Sequence, residues 1–310
     1  MAQDQQKPTF PQKLEALYDR ADHATGGRLG IVRLTLDHFT ATRGTQASAA
    51  MSYYALFSLF PLALVFLTVL SLFVDPEQAQ AVVEFAAQQF LPDSPSMKAF
   101  VIDTVTSVFA LRGEITIISL IALIWSASAA FTTLTFNIDL AWMEETRPNP
   151  LKARLVGLLM IIIVYVILLV TLVGAALANM VAVLPLQLLD QLGVSQEVAR
   201  GFGMQGIIVL VSIGVFFALY WWVPRKKAPW SAALLAAVLA ALASWVVDAG
   251  FSFYLSSRFA RYELVYGPIA SIIVLMFWFY LRVTIILIGA HLSASIAHYR
   301  ADRTKSAIVS

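Results

Sequence analysis

Asp139, Asp248 and Arg282 are ionisable side chains set in stretches that are otherwise apolar enough to cross a bilayer. Such groups are costly in hydrocarbon and rarely face lipid, so each marks either a helix contact or a path for something polar. The chemistry open to them is narrow: a carboxyl can carry a proton or cation, and a guanidinium can receive an anionic headgroup. In the stretch 115–139, Ser126, Thr133 and Asn137 fall with Ser119 on one line of a helix at about 100° per residue, while Ser128, Thr132, Thr135 and Asp139 fall on nearly the opposite line. Lipid satisfies neither line, so this span is expected at the centre of a bundle, with neighbours on both sides.

Composition points to the same setting. Of 310 residues, 59% are hydrophobic and 13% charged, and the mean hydropathy is +0.77, against about 25% charged in soluble domains. The absence of cysteine excludes a disulfide framework, a thiol nucleophile and a thiolate zinc site. A net charge of +2 without a basic aromatic groove gives no nucleic-acid reading. No cluster of carboxylates or histidines in a polar segment has metal spacing, so neither cofactor nor hydrolytic metal centre is expected.

The expected fold is all-α, a polytopic membrane protein with six transmembrane helices at about 49–73, 115–139, 155–184, 204–223, 230–254 and 266–296. Residues 1–48 are polar and lack a signal peptide, leaving the first span to serve as the signal. Within them Leu29, Ile31, Val32, Leu36 and Phe39 alternate with Arg28 and Arg33, which fits a helix lying in the interface or a short soluble one. Pro61 should kink the first span, with Ser58 placed to satisfy the freed carbonyl. Segment 75–114 carries two amphipathic patterns separated by Pro92–Pro95 and should form an outer helical hairpin, capped by Ser94 or Ser96. The third span is apolar nearly all round apart from Asn179, and should be peripheral.

The glycine run 201–206, GFGMQG, matches a phosphate-binding fingerprint but precedes an apolar helix and lacks the βαβ context that gives the fingerprint its chemistry. A flexible loop and close helix packing are expected there instead. The fifth span places Ala232, Ala236, Ala240, Ser244, Asp248 and Ser252 on one ridge of small residues. The sixth places Gly267, Ser271, Trp278, Arg282, Gly289 and Ser293 in one arc, turning Arg282 inward, with His291 on the other side as a satisfied or interfacial histidine.

Fifteen of the 21 Lys and Arg lie in segments on the side of the N terminus, five lie on the other side, and Arg282 lies within a span. This bias predicts that both termini, including the tail 297–310, are cytoplasmic. Counted from Tyr266, Arg282 lies about 24 Å into its helix, level with Asp139; counted from Trp230, Asp248 lies about 27 Å along, near the outer face. Arg282 is therefore expected to pair with Asp139, and Asp248 to be hydrated.

ASAAMSYYALFSLFPL, WSASAAFTTLTFNI, VPRKKAPW and YGPIASIIVLMFWFYLRVTIILIGAHLSA, in that order, resemble the signatures of the YihY/BrkB-like membrane proteins. Tyr266, Gly267, Trp278, Tyr280, Gly289 and Ala290 match the family pattern, whereas His291 replaces a usual glutamate and Arg282 a common small residue. The resemblance implies a bacterial inner-membrane protein of six spans, and carries the older label ribonuclease BN, which no residue cluster here supports. Two function classes fit the residues. One is a transporter or flippase-like protein for a lipid or another amphiphile, with Asp139, Arg282, Asn137, Ser126, Thr133 and Asp248 as its polar site and membrane lipids as its partners. The other is a membrane scaffold or envelope-assembly factor in which those groups only specify packing.

Overall fold

The computed structural model describes residues 27–71, 75–110, 117–143, 151–163, 165–166, 169, 196–257 and 269–309, and side chains at most of these positions. Among the described residues the regular structure is helical. In chain order the helices are α1 (Arg28–Ala41), α2 (Gly44–Leu70), α3 (Pro76–Phe90), α4 (Pro95–Ala110), α5 (Ile117–Ala141), α6 (151–163), α7 (Gln196–Trp221), α8 (Trp230–Ser256) and α9 (Ala270–Val309). Three of them hold stretches long and apolar enough to cross a membrane: Gly44–Thr68, Trp230–Ser256 and Ala270–Ala301. The apolar stretch of α7, Val209–Trp221, is shorter. Asn179 and Gly267 lie outside the described residues.

Helix α8 shows how these helices distribute size. Ala232, Ala233, Ala236, Ala237, Ala240, Ala241 and Ser244 are buried, while Leu235, Leu239, Leu242, Trp245 and Val246 are exposed. Large apolar side chains outside and small ones inside reverse the usual arrangement of a water-soluble helix. The pattern suits a helix that meets lipid on one face and lets α7 and α9 approach its backbone closely on the other.

Among the described residues the helix that packs on the most others is α9. It packs on α1, α2, α4, α5, α7 and α8, and at Gly289 a side chain would overlap the ring of the fully buried Tyr220, whose hydroxyl donates to the Ile286 carbonyl at 3.1 Å. The premise behind a central α5, that its hydroxyls require partners on both sides, does not hold. Its hydroxyls need no neighbours, because Ser128 donates to Trp125 O, Thr132 to Ser128 O, Thr133 to Ala129 O and Thr135 to Thr132 O, at 2.7–2.9 Å. Even so, α5 does have neighbours on two sides. Asn137 approaches Met51 Sδ of α2 at 3.7 Å, and Thr132 also reaches the Ala153 carbonyl of α6 at 3.3 Å, where Gly157 admits close approach: a Cβ there would lie 2.7 Å from the Ser128 carbonyl oxygen.

Two apolar clusters lie along the bundle. Phe39, Ile138, Trp142, Tyr220 and the alanines of α8 gather around the C-terminal half of α9. Leu67, Met97, Val101, Val105, Phe251 and Leu275 gather around its N-terminal half, where the hairpin α3–α4 docks. Ser94 Oγ accepts from the Met97 amide at 3.4 Å as the α4 cap, and Ser252 at the end of the α8 ridge accepts from the Asp93 amide at 3.0 Å. Helix α1 lies on α9 with Thr35 and Phe39 buried and Val32 and Leu36 exposed, an apolar outer line suited to an interface.

Two smaller expectations are corrected. The run 201–206 is interior to α7, and a Cβ at Gly206 would meet nothing within 4 Å, so that glycine serves neither a loop nor close packing. Ser58 donates to Ala55 O at 3.1 Å, so its hydroxyl bonds a carbonyl two residues before that of Phe57, the one Pro61 frees.

Candidate functional site

Helices α8 and α9 run antiparallel. At one end Arg300 Nη1 donates to Ser231 Oγ at 2.7 Å, and Ser231 lies as far before Asp248 as Arg300 lies after Arg282, to within one residue. This register brings Asp248 opposite Arg282, with Nη2 3.4 Å from Oδ2. One turn earlier on α9, Trp278 Nε1 donates to Asp248 Oδ1 at 3.2 Å, and the Arg282 guanidinium lies 5.3 Å from the centroid of the Trp278 ring. The carboxylate thus takes one partner on each oxygen, and the cation gains the face of an aromatic ring. The two side chains keep 27% and 35% exposure, so the pair is not sealed in packing.

This arrangement overturns the pairing of Arg282 with Asp139. The α-helix of α9 runs from Ala270, four residues beyond Tyr266, and at 1.5 Å per residue that removes about 6 Å from the helical depth of Arg282. The length of the arginine side chain covers much of what remains.

Asp139 has a different partner, Arg225, in the turn between α7 and α8. The Arg225 amide donates to Oδ1 at 3.0 Å and its Nε to Oδ2 at 2.9 Å. The carboxylate is 6% exposed. Pro224 and Pro229 flank this turn, and the carboxylate at the last turn of α5 fixes it from the side. The sequence contained the clue: Asp139 ends one span and Arg225 follows another, and the basic-residue bias puts both ends on the same side.

The remaining candidates do not converge on either pair. Asn137 Nδ2 donates to Thr133 O at 2.8 Å in the seam with α2, and the side chain of Ser126 lies outside the described residues. His291 is buried, with Nε2 3.2 Å from Thr42 Oγ1 and its ring edge-on to Phe39 at 5.9 Å. Among the described residues no group of three His, Cys, Asp or Glu is placed to hold a metal ion.

With this geometry in view, comparison with known proteins is informative. The family model described as "Virulence factor BrkB" matches residues 35–308. A "Putative ribonuclease-like protein YfkH" of Bacillus subtilis is 28% identical over 86% of this chain and 94% of its own length. A UPF0761 membrane protein of Aliivibrio fischeri is 30% identical over 83% of this chain and 80% of its own. A UPF0761 membrane protein of Acinetobacter baylyi is 27% identical over 89% of this chain, which spans 64% of that longer relative. No solved structure matches.

Proposed function

This chain is a membrane protein of the virulence factor BrkB family, and we propose that it moves a lipid or another amphiphile across the bacterial inner membrane as a transporter or flippase-like protein of six spans. The observation that carries the reading is the Arg282–Asp248 pair: two opposite charges within helices apolar enough to span, held by one tryptophan and still partly accessible. An intramembrane pair that is left open gives a passing headgroup an alternative partner for each charge. The substrate is accordingly expected to carry an anionic group that exchanges with Asp248 for the guanidinium. The test is reconstitution into vesicles containing a fluorescent phospholipid that an external reductant bleaches. Wild-type vesicles should lose clearly more than the outer-leaflet half of the signal, and Arg282→Gln vesicles should bleach like protein-free ones; equal bleaching by wild type and empty vesicles would sink the reading.

A scaffold role is favoured by a separate observation. The alanine ridge of α8 is fully buried from Ala232 to Ala237 at each inward position, a dry contact of the kind that fixes helix packing alone.

The same proposal puts segments 1–48 and 297–310 in the cytoplasm and the 75–114 hairpin outside. The chain has no cysteine to remove before single ones are introduced. Ser94 is buried, so Asp93, exposed beside it, is the better outer reporter. In intact cells Asp93→Cys should react with an impermeant maleimide and Lys227→Cys should react only after permeabilisation. The reverse pattern inverts the topology.

A further inference from the structure

At the end of the bundle where α5 and α9 finish and α7 turns into α8, there is a cleft of about 600 Å³. Its polar lining comes from His38 of α1, Trp142 after α5, Lys226 and Lys227 of the turn, and His298 of α9. None of its described lining residues is acidic. Among the described residues neither lysine has a carboxylate within ion-pair distance, and the carboxylate of Asp139 is taken up by Arg225. That clamp also sets the geometry: by tying the Arg225 amide and Nε to α5 it presents the next two residues of the turn, both lysines, over the cleft.

Trp142 supplies an independent observation. It is 3% exposed, it lines the cleft, its ring meets the His298 ring edge-on at 6.1 Å, and its Nε1–H has no acceptor among the described residues. A buried indole N–H without an acceptor is unusual and calls for a partner. His38 Nδ1 is likewise buried and without a partner among the described residues. The cleft therefore offers two ammonium groups, backed by a buried N–H still in need of an acceptor, with no fixed negative charge among its described lining. Lysine ammonium groups act as point charges towards phosphate, where a planar carboxylate is matched better by the fork of an arginine.

We propose that this cleft binds a phosphate group, carried by a lipid headgroup or by a soluble phosphate ester. It is separate from the Arg282–Asp248 pair, since the step from Arg282 to His298 along α9 is about 24 Å, and it does not depend on lipid movement. The surroundings place it at the membrane surface: Trp222 and Trp230 beside the turn are half or more exposed, and α1 turns His38 to the cleft while Val32 and Leu36 face outward. Exposed tryptophans next to lysines are an interfacial arrangement, at headgroup depth.

The test is calorimetric titration of the full chain in a neutral detergent with three probes: dihexanoyl phosphatidic acid, dihexanoyl phosphatidylcholine and inorganic phosphate. Phosphatidic acid should bind at least 10-fold more tightly than phosphatidylcholine. Lys226→Gln/Lys227→Gln, both at exposed positions, should lose at least 10-fold of that affinity with an unchanged melting temperature. Trp142→Phe, which keeps an aromatic ring against His298 and removes the N–H, should lose about threefold for phosphatidic acid and nothing for phosphatidylcholine. Inorganic phosphate binding as tightly as phosphatidic acid assigns the site to soluble esters, and weaker binding assigns it to lipid. Equal affinity for the two lipids, or a double lysine variant that binds phosphatidic acid like the wild type, overturns the proposal.

Discussion

Arg225→Ala is expected to destabilise the protein in detergent by about 3 kcal/mol, the lower end of the range for breaking a buried ion pair. The reason lies in what is left behind. Asp139 is sealed to 6% exposure, so without the guanidinium its negative charge keeps, among the described residues, just the residue 225 amide as partner. Arg225 itself is 38% exposed, so the pair is open to water on one side, which places the expected value at the low end. Asp139→Ala should cost a similar amount for another reason: it frees a backbone N–H as well as the cation, and the turn carrying Lys226 and Lys227 loses its tie to α5. Arg225→Lys should recover little, since a lysine ammonium does not reproduce a donor at the Nε position. Chemical unfolding in mixed micelles checks all of these. The double mutant Asp139→Ala/Arg225→Ala should be less damaged than the sum of its parts, whereas Asp139→Ala and Arg282→Gln should add to within about 0.5 kcal/mol. Strong coupling of Asp139 to Arg282 would reinstate the pairing that helix depth alone predicts.

The failure of that depth argument marks the boundary of what the sequence made legible. Features set by chemistry within one turn were readable. Pro92–Pro95 ends one amphipathic pattern and starts another, and the hairpin α3–α4 with its Ser94 cap follows. The four-residue spacing of Ala232, Ala236 and Ala240 makes one ridge whatever lies beside it, and that ridge is buried. The arc through Trp278, Arg282, Gly289 and Ser293 likewise follows from 3.6 residues per turn, and its members turn towards neighbouring helices.

What depends on two elements was harder to read. The pairing of Arg282 required the relative height of two helices, and four residues of uncertainty in one helix start, about 6 Å, were enough to exchange Asp139 for Asp248. Ranking α5 as the hub assumed that polar side chains demand neighbours, yet a threonine in a helix can donate to the carbonyl three or four residues back and remain indifferent to what surrounds it. The hub, α9, draws its position from Gly289 beneath the Tyr220 ring, a contact between residues 69 apart in the chain that no local pattern announces.

Asp248 and Arg282 together decide between a transport site and a packing device, and the decisive variant is the one that removes both charges. Asp248→Leu alone should destabilise the protein by about 2 kcal/mol, because it strands a guanidinium in a spanning helix; its 27% exposure keeps the cost below the full ~2.5–3.5 kcal/mol of an arginine at mid-bilayer. Arg282→Leu alone should cost less, since Asp248 retains the Trp278 N–H and a carboxyl can take up a proton in place of its partner. In Asp248→Leu/Arg282→Leu neither charge is stranded, and two apolar side chains replace an imperfect pair whose closest approach is 3.4 Å, so stability should return to within about 1 kcal/mol of wild type or exceed it. That recovery separates folding from function. In the reconstituted vesicles the double variant, well folded, should bleach no more lipid than protein-free controls, because the charges that exchange with a headgroup are gone. A stable double variant that still moves lipid at the wild-type rate would reduce the pair to a packing element and shift the reading to the scaffold.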